Sequence, residues 1–394
     1  MKTKTLSLKQ AIKRWFTPPE ALTAGSYHFQ APPDAPAPYR LHLRLEPDRS
    51  GVFIINAATV LHLNPTAAEY AYHLVQNTPE EEVASAISRR YRINPTQAHQ
   101  DFVKFKEQIQ TLISTPDLDP VTFLDFDRLN PYSQEISAPY RLDCALTYRL
   151  PEGADAAYAP TKQVDRELDT REWETILDKA WEAGIPHVVF TGGEPTLRED
   201  LSELIRYAEQ KGMVSGLLTD GQRLADPEYL DMLLQTGLDH IMLNLDVDNL
   251  AVAAAVKNTL AADVHLVVHL TITAQNAARA SWQLEKLQQS GITALSLSAA
   301  EASLQPALQA MREHSAALGM SLVWDLPVPY SAFNPVSLET AAEEQPSGAG
   351  HAWLYVEPDG DVLPAQGINR VLGNLLRDPW NAIWQNSERR GQRQ

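Results

Sequence analysis

From Tyr140 onward the chain alternates short apolar runs with amphipathic helical stretches, and this alternation restricts the fold more than any other feature. The runs "YRLDCALTY", "HVVFTGG", "VSGLLTDG", "HIMLNLD", "VHLVVHLTI", "ALSLSA" and "SLVWDLP" read as strands. Between them lie "TREWETILDKAWEAG", "REDLSELIRYAEQKG", "DPEYLDMLLQTG", "NLAVAAAVKNTLAA", "SWQLEKLQQSG" and "LQPALQAMREHSAALG". Several of these end in glycine, which accepts the left-handed backbone at a helix C-terminus. Repeated strand–helix units predict an α/β fold with a parallel sheet, closed or partly closed into a barrel. Six or seven units suit a partial barrel over 140–330. Ligands then belong at the C-terminal ends of the strands.

The flanking segments read differently. Residues 1–38 end in the Pro/Ala-rich "FQAPPDAPAP", predicted to be an extended linker. Over 39–115, "YRLHLRLEP" alternates like a half-buried strand and "VFIINAATVLHL" gives two more strands around an Asn-Ala-Ala turn. Three helices follow: one capped by Asn64 with Pro65 at its first position, one capped by Thr78, and one with Phe102, Phe105, Ile109 and Leu112 on a single face. Residues 116–139 form a second linker, and 331–394 hold a loop, a hairpin around Pro-Asp-Gly, a final helix and a polar tail.

Several function classes are excluded or disfavoured. No apolar run is long enough to span a bilayer. The basic start "MKTKTLSLKQAIKRWF" lacks the apolar core and cleavage site of a secretory signal, so a cytoplasmic location is expected. A net charge of -17 argues against nucleic acid as a partner and suits a basic or neutral peptide. His265 and His269 are four apart on a predicted strand and read as buried or rim histidines rather than metal ligands.

The chemistry should sit at Thr191-Gly192-Gly193-Glu194-Pro195, where the second strand ends. Two glycines let backbone approach a ligand and expose N–H groups, and Glu194 offers a carboxylate to a cation. The stretch "HVVFTGGEPTLREDLSELIRYAEQKGM" resembles the second strand–helix unit of the radical S-adenosylmethionine superfamily, whose Gly-Gly-Glu-Pro loop holds the methionine amino group. "LLTDG" and "IMLNLD" resemble that family's third and fourth strands, with Asp220 in place of Asn and Asn244 in place of Ser. The resemblance implies a cofactor pocket of Gly192, Gly193, Glu194, Pro195, Thr219, Asp220 and Asp246.

The same resemblance implies three cysteines, spaced C-x3-C-x2-C, after the first strand. Here those positions are Leu150, Ala154 and Ala157, between "TYR" at Thr147–Arg149 and Tyr158. The C-terminal "SGAGHAWLYVEPDGDVLPAQGINRVLGNLLRDPWNAIWQNS" is similar to the SPASM extension of peptide-modifying radical enzymes, and its cysteine positions fall on Ser347 and Ala365. The only cysteine of the chain, Cys144, lies within the first strand and reads as a small buried hydrophobe. One cysteine cannot build an iron–sulfur cluster, so the expectation is no [4Fe–4S] cluster, no resident cofactor, and at most residual binding of S-adenosylmethionine.

Finally, "VFIINAATVLHLNPTAAEYAYHLVQNTPEEEVASAISRRYRINPTQAHQDF" resembles a PqqD-like winged-helix domain, which recognises leader peptides of ribosomally made, modified peptides. The resemblance implies capture of a peptide as an added strand, in a groove formed by Val52, Phe53, Ile54 and Ile55 with Phe102, Phe105 and Ile109. The expectation is therefore a catalytically degenerate scaffold that presents a precursor peptide to an active maturase or serves in a larger assembly. The alternative is a non-radical enzyme that still binds S-adenosylmethionine or a nucleotide at the Gly-Gly-Glu-Pro loop. The mixed replacements Leu150 and Ser347 speak against uniform Cys→Ala engineering.

Overall fold

Four antiparallel strands, not three, make the sheet of the N-terminal unit: β1 (Gly25–Gln30), β2 (Arg40–Leu45), β3 (Gly51–Ile55) and β4 (Thr59–Leu63), paired in that order. The computed structural model describes residues 22–32, 34–35, 38–115, 118–124, 132, 134–246, 249–262, 264–341 and 346–388. The chain divides into two compact units, 1–129 and 130–394, each treated by itself. The expected properties of residues 1–21, and parts of both linkers, lie outside the described residues.

β1 lies within residues 1–38, expected as an N-terminal segment that ends in a Pro/Ala linker, and takes in the first two residues of that linker. "GSYHFQ" alternates, and Tyr27 and Phe29 pack against the core. Its brevity and the neighbouring prolines hid that period-two signal. Asn56 and Ala57, at φ 51 and 56, make the left-handed pair that a tight β3–β4 hairpin requires. Asn64 caps the helix Pro65–Val75 by accepting from the N–H of Thr66 and Ala67. The second helix, Glu80–Tyr91, is not capped by Thr78. Pro79 occupies that place without a side-chain bond, and Glu80, Glu81 and Glu82 offset the helix dipole instead.

The proposed peptide groove needs correction for a topological reason. β3 pairs with β2 on one side and β4 on the other, so it has no free edge for an added strand. Val52, Phe53, Ile54 and Ile55 are 0–3% exposed, and Phe102 and Ile109 are 2% exposed. Phe105 is half-buried against the same core. All seven hold the unit together rather than face a ligand. Phe53→Ala should cost this unit about 3–5 kcal/mol, read as a lower denaturant midpoint, because nothing can collapse into the space left.

The second unit is one ten-stranded sheet. Parallel strands β5 (Arg141–Thr147), β6 (His187–Gly192), β7 (Val214–Thr219), β8 (His240–Asn244), β9 (His265–Ile272), β10 (Ala294–Ala299) and β11 (Ser321–Leu322) follow one another in spatial order. A helix lies between each consecutive pair through β11. Thr170–Glu182 is held by an Asp169–Glu172 capping box. The last strand is shorter than "SLVWDLP" suggested, because the chain turns at Asp325, where φ is 64. On one face Val189, Leu218, Met242, Val267 and Ala294 form a buried cluster, the period-two set of five adjacent strands.

The C-terminal segment extends this sheet. β12 (Trp353–Val356) lies parallel on the outer edge of β5, and the hairpin to β13 (Asp361–Leu363) and then β14 (Gly373–Asn374) continue antiparallel. The turn at Pro358-Asp359-Gly360 forms as its residues predict, with Gly360 at φ 88. Among the described residues no helix is long and apolar enough to cross a membrane.

Candidate functional site

The C-terminal ends of β5, β6, β7 and β8 converge on a cavity of about 460 Å³, within the size range of small-molecule sites. Its chemistry begins at the β6 end. Gly192 has φ +121, and a Cβ there would lie 2.2 Å from the Thr147 carbonyl oxygen. A Cβ on Gly193 would lie 2.2 Å from the Arg149 carbonyl oxygen. The glycines are thus required by the close passage of β5. The N–H of Gly193 donates to the Thr147 carbonyl at 2.8 Å, and that of Glu194 to the Arg149 carbonyl at 2.9 Å. This corrects the expectation that the loop offers these N–H groups to a ligand: they tie it to the neighbouring strand.

What the tie delivers is the Glu194 side chain, 2% exposed. Its Oε1 accepts from the Thr196 N–H at 3.0 Å, the Thr196 hydroxyl at 2.5 Å and the Thr219 hydroxyl at 2.8 Å. Its Oε2 accepts only the Asp220 N–H, at 2.7 Å, which leaves a lone pair of that oxygen open. Burial, and then the charge of Asp220, push the Glu194 carboxyl up to about 8, against the pull of the bonds from the Asp220 N–H and the Thr196 and Thr219 hydroxyls. Asp220 is itself oriented by accepting from the Gln222 N–H and side-chain amide, both at 2.9 Å.

Of the expected pocket residues, Glu194, Asp220 and Asp246 line the cavity. Gly192, Gly193, Pro195 and Thr219 do not; they shape the loop or hold Glu194 from behind. Two features escaped the sequence. Tyr330, Ser331 and Phe333 form a wall, fixed by a 3.0 Å bond from the Tyr330 N–H to the Gly192 carbonyl, and this Pro- and Ser-rich loop carries no periodic signal. Asn244, 5% exposed, donates through Nδ2 to the Ser331 hydroxyl at 3.0 Å while its Oδ1 has no partner. The alternation of Met242, Asn244 and Asp246 along one strand would have placed it on the cavity side. In the adjacent strand His269 is buried among Ser296, Ser298 and Thr271, and burial lowers its ring to about 4. His265 is exposed at the far end of that strand.

The remaining expected positions carry few donors. Leu150 packs beside the buried Tyr148, Tyr330 and Tyr355, and Ala154 lines the cavity. Ala157 is exposed in a short turn capped by Asp155. Ser347 is exposed, and Ala365 is buried beside Ala352 and Trp353. Cys144 is fully buried inside β5, and its thiol is pushed well above its ordinary range by burial and then by Asp143.

Comparison with known proteins gives this geometry a lineage. Residues 144–264 match the Radical SAM superfamily profile. A PqqA peptide cyclase from Xanthomonas oryzae pv. oryzae is 29% identical over 280 residues, covering 62% of this chain and 73% of that protein. A shorter stretch of 119 residues is 37% identical to the PqqA peptide cyclase of Granulibacter bethesdensis, covering 29% of this chain and 32% of that one. The fold is similar to Streptococcus suis SuiB, solved with its precursor peptide SuiA, at a TM-score of 0.55 and 14% identity over 87% of this chain and 86% of that one. Residues 144–264 therefore match a radical S-adenosylmethionine domain, and the chain is homologous to proteins named PqqA peptide cyclase.

These findings correct two expectations. A catalytically degenerate scaffold is not what the homology indicates; relatives that cover 62–64% of this chain are named PqqA peptide cyclases. The expectation of no cofactor falls with it, since the matching domain is defined by S-adenosylmethionine. That cofactor fits the residues present: a buried carboxylate with an open lone pair, beside a second carboxylate, calls for a cationic amine. A cluster bound by three thiolates does not fit, because Leu150, Ala154 and Ala157 have no lone pair to donate. No step below is routed through one.

Proposed function

We propose that this chain is a peptide-modifying enzyme that binds S-adenosylmethionine at the ends of β6 and β7 and works on a ribosomally made precursor peptide. The observation that carries the proposal is the buried Glu194 carboxylate beside Asp220, both lining a cavity of ligand size. Homology to peptide cyclases supplies the substrate class. When bound, S-adenosylmethionine supplies the reactive sulfonium carbon. The chain's own part is to hold and orient it: Glu194 takes the amino group, while Thr196, Thr219 and the Asp220 N–H fix that carboxylate in place. The Tyr330–Phe333 wall limits water on the opposite side.

In this reading the alternating strands and helices are a partial (β/α)6 barrel, β12–β14 with the helix Trp380–Glu388 are a SPASM-like extension, and the N-terminal unit is a PqqD-like winged-helix domain that captures the leader of the peptide. Capture belongs at an outer edge of its sheet, β1 or β4, beyond which no strand lies among the described residues. Calorimetry with S-adenosylmethionine tests the core of the proposal. Saturable binding by the full chain, lost in Glu194→Gln, is the expected result; absence of binding overturns it.

A further inference from the structure

We infer that the peptide acted on in this cavity presents a cationic side chain, lysine or arginine, to it. The inference rests on the function just proposed and names its substrate class. Five carboxylates line the cavity, those of Glu152, Asp155, Glu194, Asp220 and Asp246, and no lysine, arginine or histidine does among the described residues. S-adenosylmethionine cannot balance them. Its ammonium and sulfonium are positive and its own carboxylate negative, so it brings a single net positive charge. Carboxylates remain in excess, and like charges that line one cavity raise its affinity for a further cation.

A second observation points to a donor independently of charge. Asn244 lines the cavity, and its Oδ1 is buried without a partner while its amide nitrogen is fixed on Ser331. An unmet buried acceptor is costly, and a ligand that donates removes the cost. Ammonium and guanidinium groups donate and never accept, so they suit a lining of carboxylates and one bare carbonyl. The walls suit the rest of such a side chain. Leu150, Val252 and Phe333 offer apolar surface to the methylene stem of a lysine or arginine whose head reaches the acids. Glu152 and Asp155 stand on the exposed loop at the entrance, where they would meet the incoming charge first.

The test uses two short synthetic peptides that differ only in one residue, lysine in the first and N-acetyl-lysine in the second. Each is titrated into the full chain at low ionic strength, with and without S-adenosylmethionine. The lysine peptide should bind about tenfold more tightly, as a charge-assisted hydrogen bond warrants. The advantage should shrink as salt is added, and shrink again in the double variant Glu152→Gln/Asp155→Asn. Asp155→Asn keeps the oxygen that accepts from the Ala157 N–H, so the turn there survives. Equal binding of the two peptides, no binding by the lysine peptide, or an undiminished preference in the double variant overturns the inference. The titration with S-adenosylmethionine alone reports separately on the earlier reading. Failure of that titration with a persisting lysine preference counts against the earlier reading only.

Discussion

Gly192→Ala will lower the stability of the C-terminal unit by about 3 kcal/mol or more and abolish binding of S-adenosylmethionine, and Gly193→Ala will do the same. At both positions the new methyl would lie 2.2 Å from a backbone carbonyl oxygen of β5 or the loop after it, so no side chain can swing aside to admit it. Gly192 adds the strain of φ +121. The shift in melting temperature should be on the order of 10 °C for a unit of this size. Gly153→Ala is the matching control. Gly153 also has positive φ, +85, but a Cβ there meets nothing within 4 Å, so only the backbone strain of about 1 kcal/mol should appear. Equal melting points for Gly192→Ala and Gly153→Ala would show that the β5–β6 contact is looser than described.

The second large effect is the pH dependence of cofactor binding. The Glu194 carboxyl is raised to about 8, so in the free protein at neutral pH it holds a proton that must leave before an ammonium can bind. Apparent affinity should therefore rise with pH, by up to about tenfold per unit, as pH approaches 8. Beyond that the amino group of the ligand, near 7.7–8.0 in model compounds, loses its own proton and affinity should fall. Glu194→Gln should weaken binding by roughly 100-fold, about 3 kcal/mol, and flatten the rising limb. Calorimetry in two buffers of different ionisation enthalpy counts the released proton directly; a flat profile in the unaltered protein would show that Glu194 is already ionised. The same group makes the fold less stable as pH climbs from its ordinary value of 4.5 towards 8, because the unfolded chain loses the proton first.

Much of this was legible in the sequence because two periodicities and a few turn residues are local. β5 to β10, the helices between them, the Asn64 cap and the Pro-Asp-Gly hairpin each announce themselves within a dozen residues. Glu194, Asp220 and Asp246 were legible as strand-end acids. Pairing was not. "VFIIN" is a good strand, but whether it lies at an edge depends on β4 and on where β1 adds, and no local pattern fixes that. The role of the two glycines was misread for a related reason. The N–H groups of Gly193 and Glu194 are consumed by backbone more than 40 residues earlier in the chain, at Thr147 and Arg149. The Asn244 acceptor and the Tyr330 wall depend on tertiary closure alone. The lack of cysteine at positions 150, 154 and 157 was plain from the sequence and informative about ligands, yet it led to a conclusion about activity that the relatives do not support.

The place of β12 has a bearing on how the molecule comes off the ribosome. β5 emerges early, and its inner side is satisfied as soon as β6 is made, but its other side must wait until Trp353–Val356 is synthesised. Throughout that interval a strand that is buried in the folded unit from Leu142 to Thr147 offers bare backbone to any extended chain nearby. Chains cut short before Trp353 should accordingly come out as inclusion bodies or as edge-to-edge oligomers, even though every strand from β5 to β11 would be present in them.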